Sequence, residues 1–323
     1  MLKELVIENN KIGSAIQYFR ESNYISQTKL CKGLCSVATL SRIEAGERDV
    51  DSLLIETLLE RLGKTPNQFE LILTDFDYVL YHNREEIKKL IEDKNYNTAC
   101  ERLEKYEQIA ASKGTVHLQF IINSKALLNE LHGGTIEASI VLFMEAITNT
   151  VPGFKTHEIN DYYLSNSEMN IIVDVVQRMI SVGMTKMAKE ILVQVLEYLD
   201  SHNSMEENNR LYPKVAVIAS RLFMQEQDLN RALEMCNKGL ESNKGSRKMD
   251  YLGELSFIKA QATEGLLKAQ EKWYYSQKEC LKLYLQAYYI FDFCEEPTTA
   301  EKIKKYLEEE YKWEDIDEGI LFV

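Results

Sequence analysis

Proline and glycine are scarce, at 4 and 14 of 323 residues. Sandwiches and barrels need a turn residue at most strand reversals, so that class is excluded. No stretch approaches the ~20 uninterrupted apolar residues of a membrane-spanning helix. The opening MLKELVIENNK carries Glu4 and Glu8 and lacks the apolar run of a secretory leader, so a cytoplasmic location is expected. The six cysteines (31, 35, 100, 236, 280 and 294) are scattered, which argues against a disulfide framework. Cys31 and Cys35 have no second Cys or His pair nearby in sequence to complete a zinc site. They read as small apolar residues, with a redox or inter-subunit role as the alternative.

Enzyme signatures are missing too. Gly63-Lys64-Thr65 ends like a phosphate-binding loop, but Leu58 stands where that loop needs its first glycine. His157-Glu158 would open a zinc-protease pair, but Asp161 replaces the second histidine. The five histidines (82, 117, 132, 157, 202) lie 15 or more residues apart, with no G-x-S-x-G or G-x-G-x-x-G nearby. No catalysis, cofactor or metal is expected.

What is present is helical and unevenly charged. A 45% hydrophobic content supports a substantial core, and the length suggests two domains at roughly 150 residues each. The net charge is −13, yet residues 1–65 hold nine basic and nine acidic side chains. The remainder holds 29 and 42 and carries the whole excess. From Lys11 to Ile43 there are five bases (Lys11, Arg20, Lys29, Lys32, Arg42) against Glu21 alone. A locally positive patch on an acidic body suits phosphate contact, which depends on the local field.

Helical periodicity begins at Ile12, Ala15, Ile16 and Phe19. Ser26 caps a second helix and Ser36 a third over 37–45, ended by Gly46. Residues 50–62 make a fourth, and Pro66 opens a fifth. Two short helices joined by a Gly-containing turn are the helix-turn-helix pattern. The run Ser26, Gln27, Leu30, Ser36, Thr39, Leu40, Ser41, Arg42, Ile43, Glu44 and Gly46 resembles the Cro/repressor (XRE) type closely. Lys32-Gly33, where that family often has alanine, leaves the spacing intact.

A recognition helix puts its N-terminal residues in the major groove. That places Ser36, Val37, Ala38 and Thr39 at base edges and Arg42 one turn on. The resemblance puts Gln27 near a phosphate or base, and makes Arg20 and Glu44 a buried clip between the first and third helices. Lys29 and Lys32 are phosphate candidates. Leu30, Leu40 and Ile43 are core.

Beyond residue 76 a phrase recurs: a polar turn, then a small residue inside an amphipathic helix. The small residues are Ala99, Ala138, Ala188, Ala232 and, more weakly, Cys280, at intervals of 39, 50, 44 and 48. They resemble the second helix of degenerate tetratricopeptide (TPR) repeats. Such arrays line a concave groove with the first helix of each pair, here 116–131, 158–182, 207–225 and 250–269. Asn123, Asn166, Asn170, Lys214 and Arg221 are then the groove candidates, because an Asn amide both donates to and accepts from an extended peptide. Tyr162, Tyr163, Phe120, Tyr212 and Lys259 are secondary ones. A charged helix over 300–312 comes last.

The expected fold is therefore all-α: a five-helix XRE/Cro-like helix-turn-helix domain followed by a TPR-like α-solenoid. Expected boundaries are 1–72 for the helix-turn-helix, 73–83 for a linker, 84–312 for the repeats and 313–323 for a tail. This combination resembles the peptide-responsive Rgg/PlcR/PrgX (RRNPP) regulators of Gram-positive bacteria. The resemblance implies a cytoplasmic, quorum-sensing homodimer on double-stranded operator DNA, controlled by a short linear signalling peptide and independent of membranes. Two alternatives are a regulator whose repeats dock a protein partner and, ranked lower, a Rap-like adaptor, which would lack the helix-turn-helix.

Overall fold

The computed structural model describes residues 11–47, 51–64, 75–201, 211–246 and 249–313. The described chain is helical and forms two compact units, residues 1–208 and 209–323. The division therefore falls inside the stretch 84–312 expected to be one repeat domain. No described helix is long and apolar enough to cross a membrane.

The first unit opens with α1 (Lys11–Ser22), α2 (Gln27–Cys31), α3 (Val37–Glu44) and α4 (Ser52–Arg61). Their inward faces, among them Ile16, Leu30, Leu40, Ile43, Ile55, Leu58 and Leu62, close one core. Gly13 permits the close approach of α1 to α3: a Cβ there would sit 2.0 Å from the Ile43 carbonyl oxygen. The fifth helix expected from Pro66 lies outside the described residues.

Three helix pairs complete this unit: α5 (Asp75–Glu92) with α6 (Tyr96–Ala110), α7 (Thr115–Leu131) with α8 (Ile136–Thr150), and α9 (Asn166–Ser181) with α10 (Thr185–Ser201). Most of the expected linker, 73–83, is thus helical, and Leu80 within it is fully buried. The helix expected over 158–182 is broken. Ile159–Asp161 forms a single 3-10 turn, and α9 starts afresh at Asn166. The reason is a capping box: the Ser165 hydroxyl accepts from the Glu168 N–H at 3.2 Å, and Glu168 accepts from the Ser165 N–H at 2.7 Å.

The second unit has α11 (Tyr212–Gln225) with α12 (Leu229–Ser246), α13 (Leu252–Ala269) with α14 (Trp273–Phe293), and a closing α15 (Pro297–Tyr311). The helix expected from 207 begins at Tyr212 with Pro213 in its first turn, and 202–210 lie outside the described residues. The tail from 314 lies outside them too. Trp313 is buried against Tyr288, with 5.7 Å between ring centroids.

The small-residue positions explain the pairing. Ala99, Ala188, Ala232 and Cys280 are fully buried on the second helix of their pairs. Ala138 is corrected: it is exposed, and the buried small residue of α8 is Ser139. Two adjacent small residues made the register ambiguous. Ser139 is the one turned inward because its hydroxyl donates to the Ala126 carbonyl at 3.0 Å and accepts from Asn129 Nδ2 at 2.9 Å.

Candidate nucleic-acid interface and adjoining cavity

Capping fixes the recognition helix. Ser36 Oγ accepts the Thr39 N–H at 3.0 Å and lies 2.9 Å from Thr39 Oγ1; Ser26 Oγ caps α2 through the Lys29 N–H at 3.2 Å. Leu40, Ile43 and Glu44 turn inward, while Val37, Ala38, Ser41 and Arg42 are exposed. Val37 leaves 41% of its surface in solvent. Lys29 and Lys32 are exposed as well.

Behind this face lies the expected clip. Arg20 Nε donates to Glu44 Oε1 at 2.6 Å and Nη2 to Oε2 at 2.9 Å, a bidentate pair buried on both sides. The Glu44 hydrogen bond holds the guanidinium above its ordinary range. Gln27 belongs to the same cluster: its Nε2 donates to Glu44 Oε2 at 2.7 Å. Expected near a phosphate or base, its amide is engaged inside the domain, because the start of α2 sits beside the end of α3.

The contact between these four helices and the repeats of the same unit leaves no mark in the sequence pattern. Arg61 on α4 makes five hydrogen bonds: to Glu168 Oε2 at 3.1 Å and Oε1 at 2.5 Å, and to the carbonyls of Leu30 (3.1 Å), Lys32 (2.8 Å) and Thr150 (2.9 Å). Burial pushes the Glu168 carboxyl up, and the Arg61 charge and hydrogen bonds more than offset it, leaving it below its ordinary value. Gly33, with φ +78°, presses its backbone on α8: a Cβ would meet the Thr150 oxygen at 2.0 Å. Thr115 Oγ1 donates to the Gly33 carbonyl at 2.8 Å. Asp51, the N-cap of α4, places Oδ2 3.0 Å from Nε2 of fully buried His117, whose Nδ1 lies 2.6 Å from the Tyr106 hydroxyl. Burial raises Asp51, but His117 and the Leu54 N–H outweigh it, and the carboxyl is lowered. Glu60 is pushed up to about 7 by burial and by the Glu56 charge, even though it accepts the Asn166 N–H at 3.0 Å.

Beside this contact is a cavity of about 300 Å³ walled by α4, α5, α7 and α9. Asn123 and Asn170 both line it, with Phe120 from the secondary candidates. Asn123 Oδ1 is buried with no hydrogen-bond partner among the described residues. Asn166 is not on the wall: its carbonyl accepts Asn170 Nδ2 at 2.9 Å and its N–H is held by Glu60. Tyr162 and Tyr163 line a separate cleft of about 440 Å³ beside Lys29 and Lys32. In the second unit Lys214 is half-buried and Arg221 exposed on α11, and Tyr212 is core. Lys259 lines a cleft of about 770 Å³ there. Among the described residues no group of three His, Cys, Asp or Glu side chains is placed to hold a metal ion.

Comparison with known proteins agrees with this geometry. The helix-turn-helix family matches residues 16–69. No curated protein sequence matches the chain. Bacillus thuringiensis PlcR in its apo form superposes with a TM-score of 0.58 at 16% identity, covering 92% of this chain and 99% of that one. PlcR in complex with the peptide PapR7 and DNA gives 0.56 at 18% identity, covering 91% and 99%. With α2–α4 and the latter part of α1 falling in the matched segment and helix pairs filling the rest, the chain is a helix-turn-helix domain carried on a TPR-like body, the fold it shares with PlcR.

Proposed function

We propose that this protein is a cytoplasmic transcription regulator that binds operator DNA as a homodimer, reads it with α3, and is controlled by a short linear peptide seated on the Asn123–Asn170 cavity. Its role is binding, not catalysis. One observation carries the reading: Val37, Ala38 and Arg42 stand in solvent on a capped helix whose opposite face is locked by the Arg20–Glu44 pair. A solvent-facing, pre-set helix N-terminus is what major-groove reading requires. In this proposal Ser36, Val37, Ala38, Thr39 and Arg42 meet base edges. Lys29 and Lys32 meet phosphates, and Gln27 holds α2 against α3. That PlcR has been solved with a peptide and DNA supports the same assignment.

Control follows from the cavity wall. Leu53, Glu56 and Thr57 of α4 face the same space as Asn123 and Asn170 of the repeats. A ligand there touches the DNA-binding domain directly, and can bias its arrangement by whatever affinity difference it has between two states. Typical coupling of about 1–3 kcal/mol changes operator affinity roughly 5- to 150-fold.

The test is selection of randomised duplexes on the full chain, followed by titration of the selected site. Thr39→Ala and Arg42→Ala should each cost about 1–3 kcal/mol, and Lys32→Ala should lower the salt slope by about 1. Unchanged affinity in both α3 variants refutes the assignment. Asn170→Ala should weaken peptide binding and leave peptide-free DNA binding intact.

A further inference from the structure

The outer face of α3 is chemically narrow. At about 3.6 residues per turn, Leu40, Ile43 and Glu44 fill its inward side, and Val37, Ala38, Ser41 and Arg42 share the outward one. The helix, VATLSRIE, carries no Asn or Gln, and its one carboxylate, Glu44, is buried on Arg20. The Gln27 amide at the start of α2 donates to Glu44 as well. The side chains that pair with both polar atoms of an adenine edge are therefore missing from this face. Ser36 and Thr39 turn their hydroxyls on each other at 2.9 Å, and Ser36 Oγ also holds the Thr39 N–H. What the first turn presents outward is aliphatic: Val37 and Ala38, both exposed. Polar side chains return one turn later, with Ser41 and Arg42.

We infer that α3 recognises A·T pairs by the C5-methyl group of thymine, packed against Val37 and Ala38, and leaves polar readout to Ser41 and Arg42. The inference rests on the DNA-binding reading above and names what that face reads. Thymine is the one base with a methyl group in the major groove; the other edges there offer donors and acceptors. An aliphatic side chain pressed on those polar atoms strips their water and returns no partner. Pressed on a thymine methyl, it removes apolar surface from water on both sides. Val37 and Ala38 are consecutive, so the two address neighbouring methyls. Arg42 follows Ala38 by four residues, about 6 Å along the axis, which puts a long cationic group in line behind the aliphatic pair.

The duplex selected on the full-length protein is the probe. Each thymine of a half-site is replaced in turn by deoxyuridine, which keeps every Watson–Crick hydrogen bond and removes only the methyl. One or two positions per half-site should each lose about fourfold in affinity, the effect expected of one buried methyl group. Cytosine placed at such a position should gain about the same factor on 5-methylation. Val37→Ala, an exposed change to a stronger helix former, should bind the thymine duplex more weakly and shrink the uracil effect at one of these positions. Ala38→Gly should do the same at the other; the thymine-to-uracil ratio is read within one variant, so a weaker helix does not enter it. Uracil tolerated at every position overturns methyl recognition and keeps the DNA-binding reading. A uracil effect of full size in both variants overturns the assignment to Val37 and Ala38. Failure to select any duplex overturns the DNA-binding reading and this inference with it.

Discussion

Replacing Arg61 with methionine should be among the most damaging single changes in the first unit. The guanidinium serves Glu168 twice and three backbone carbonyls from α2, the following turn and α8, at 2.5–3.1 Å. Arg61 and Glu168 side chains are 3% and 0% exposed. Removing one partner of such a pair costs about 3–5 kcal/mol, because the remaining charge stays buried. For a unit of this size that is roughly a 6–20 °C fall in Tm. Glu168 supplies a second signature. Its pKa is lowered in the native protein, so its contribution is present above the ordinary carboxylate range and is lost as pH falls. Without Arg61, burial dominates and the pKa is raised, so the variant should gain stability as pH falls. The Arg61→Met, Glu168→Leu double variant should recover the part of the loss due to the bared carboxylate, while the three carbonyls and the Ser165 N–H stay unmet. Both tryptophans, Trp273 and Trp313, lie in the second unit, so far-UV circular dichroism and hydrogen exchange at α9 are the appropriate readouts. A loss under about 1 kcal/mol, or a double variant as unstable as the sum of the singles, refutes the reasoning.

Gly33→Ala meets both a positive φ and the Thr150 oxygen, and should destabilise by more than the roughly 1 kcal/mol of an unobstructed left-handed site; thermal melts decide it. Glu60 titrates at about 7 in the folded chain, above its ordinary 4.5, so its protonated form is favoured by folding. Its stabilisation is complete below the ordinary value and disappears as pH rises through 7. Glu60→Gln should therefore gain up to about 3 kcal/mol at pH 8 and almost nothing at pH 4.5, by denaturant titration at the two pH values. In the second unit Glu264 accepts the hydroxyls of Tyr284 (2.6 Å), Tyr306 (2.7 Å) and Tyr311 (2.9 Å). Glu264→Leu leaves those donors unmet and should speed amide exchange in α15 and shift Trp273 emission, since Trp273 Nε1 lies 3.3 Å from the Tyr311 hydroxyl. Unchanged exchange would show that apolar packing alone holds α15.

The helix-turn-helix was legible because its determinants are local. Caps three residues from their targets and an apolar stripe on each short helix fixed α1–α3, and the resemblance supplied the Arg20–Glu44 pair. The repeats were legible by their small buried residues, with a one-residue slip where Ala138 and Ser139 compete. The break before α9 could have been read from Ser165 and Glu168, a capping box inside an otherwise continuous helical stretch. Arg61 could not. It ends an ordinary amphipathic helix, and its partner is 107 residues away, so only tertiary packing reveals that both are buried. The Asn123 and Asn170 pairing on one wall followed from repeat register, whereas Asn166, one turn earlier, opens α9 with its backbone N–H on Glu60 and lies off that wall.

Gly33 and Arg61 have a practical consequence for engineering. Reader domains of this kind invite use as interchangeable cassettes, grafted onto a new sensor to rewire a circuit. Here the reader's turn is moulded to the end of α8 and its fourth helix is pinned to α9. A chimera joined anywhere between α4 and α5 would carry an orphaned guanidinium into its new host and leave a bare carboxylate behind. A working transplant must move α8 and α9 together with the reader, or rewrite both sides of the seam.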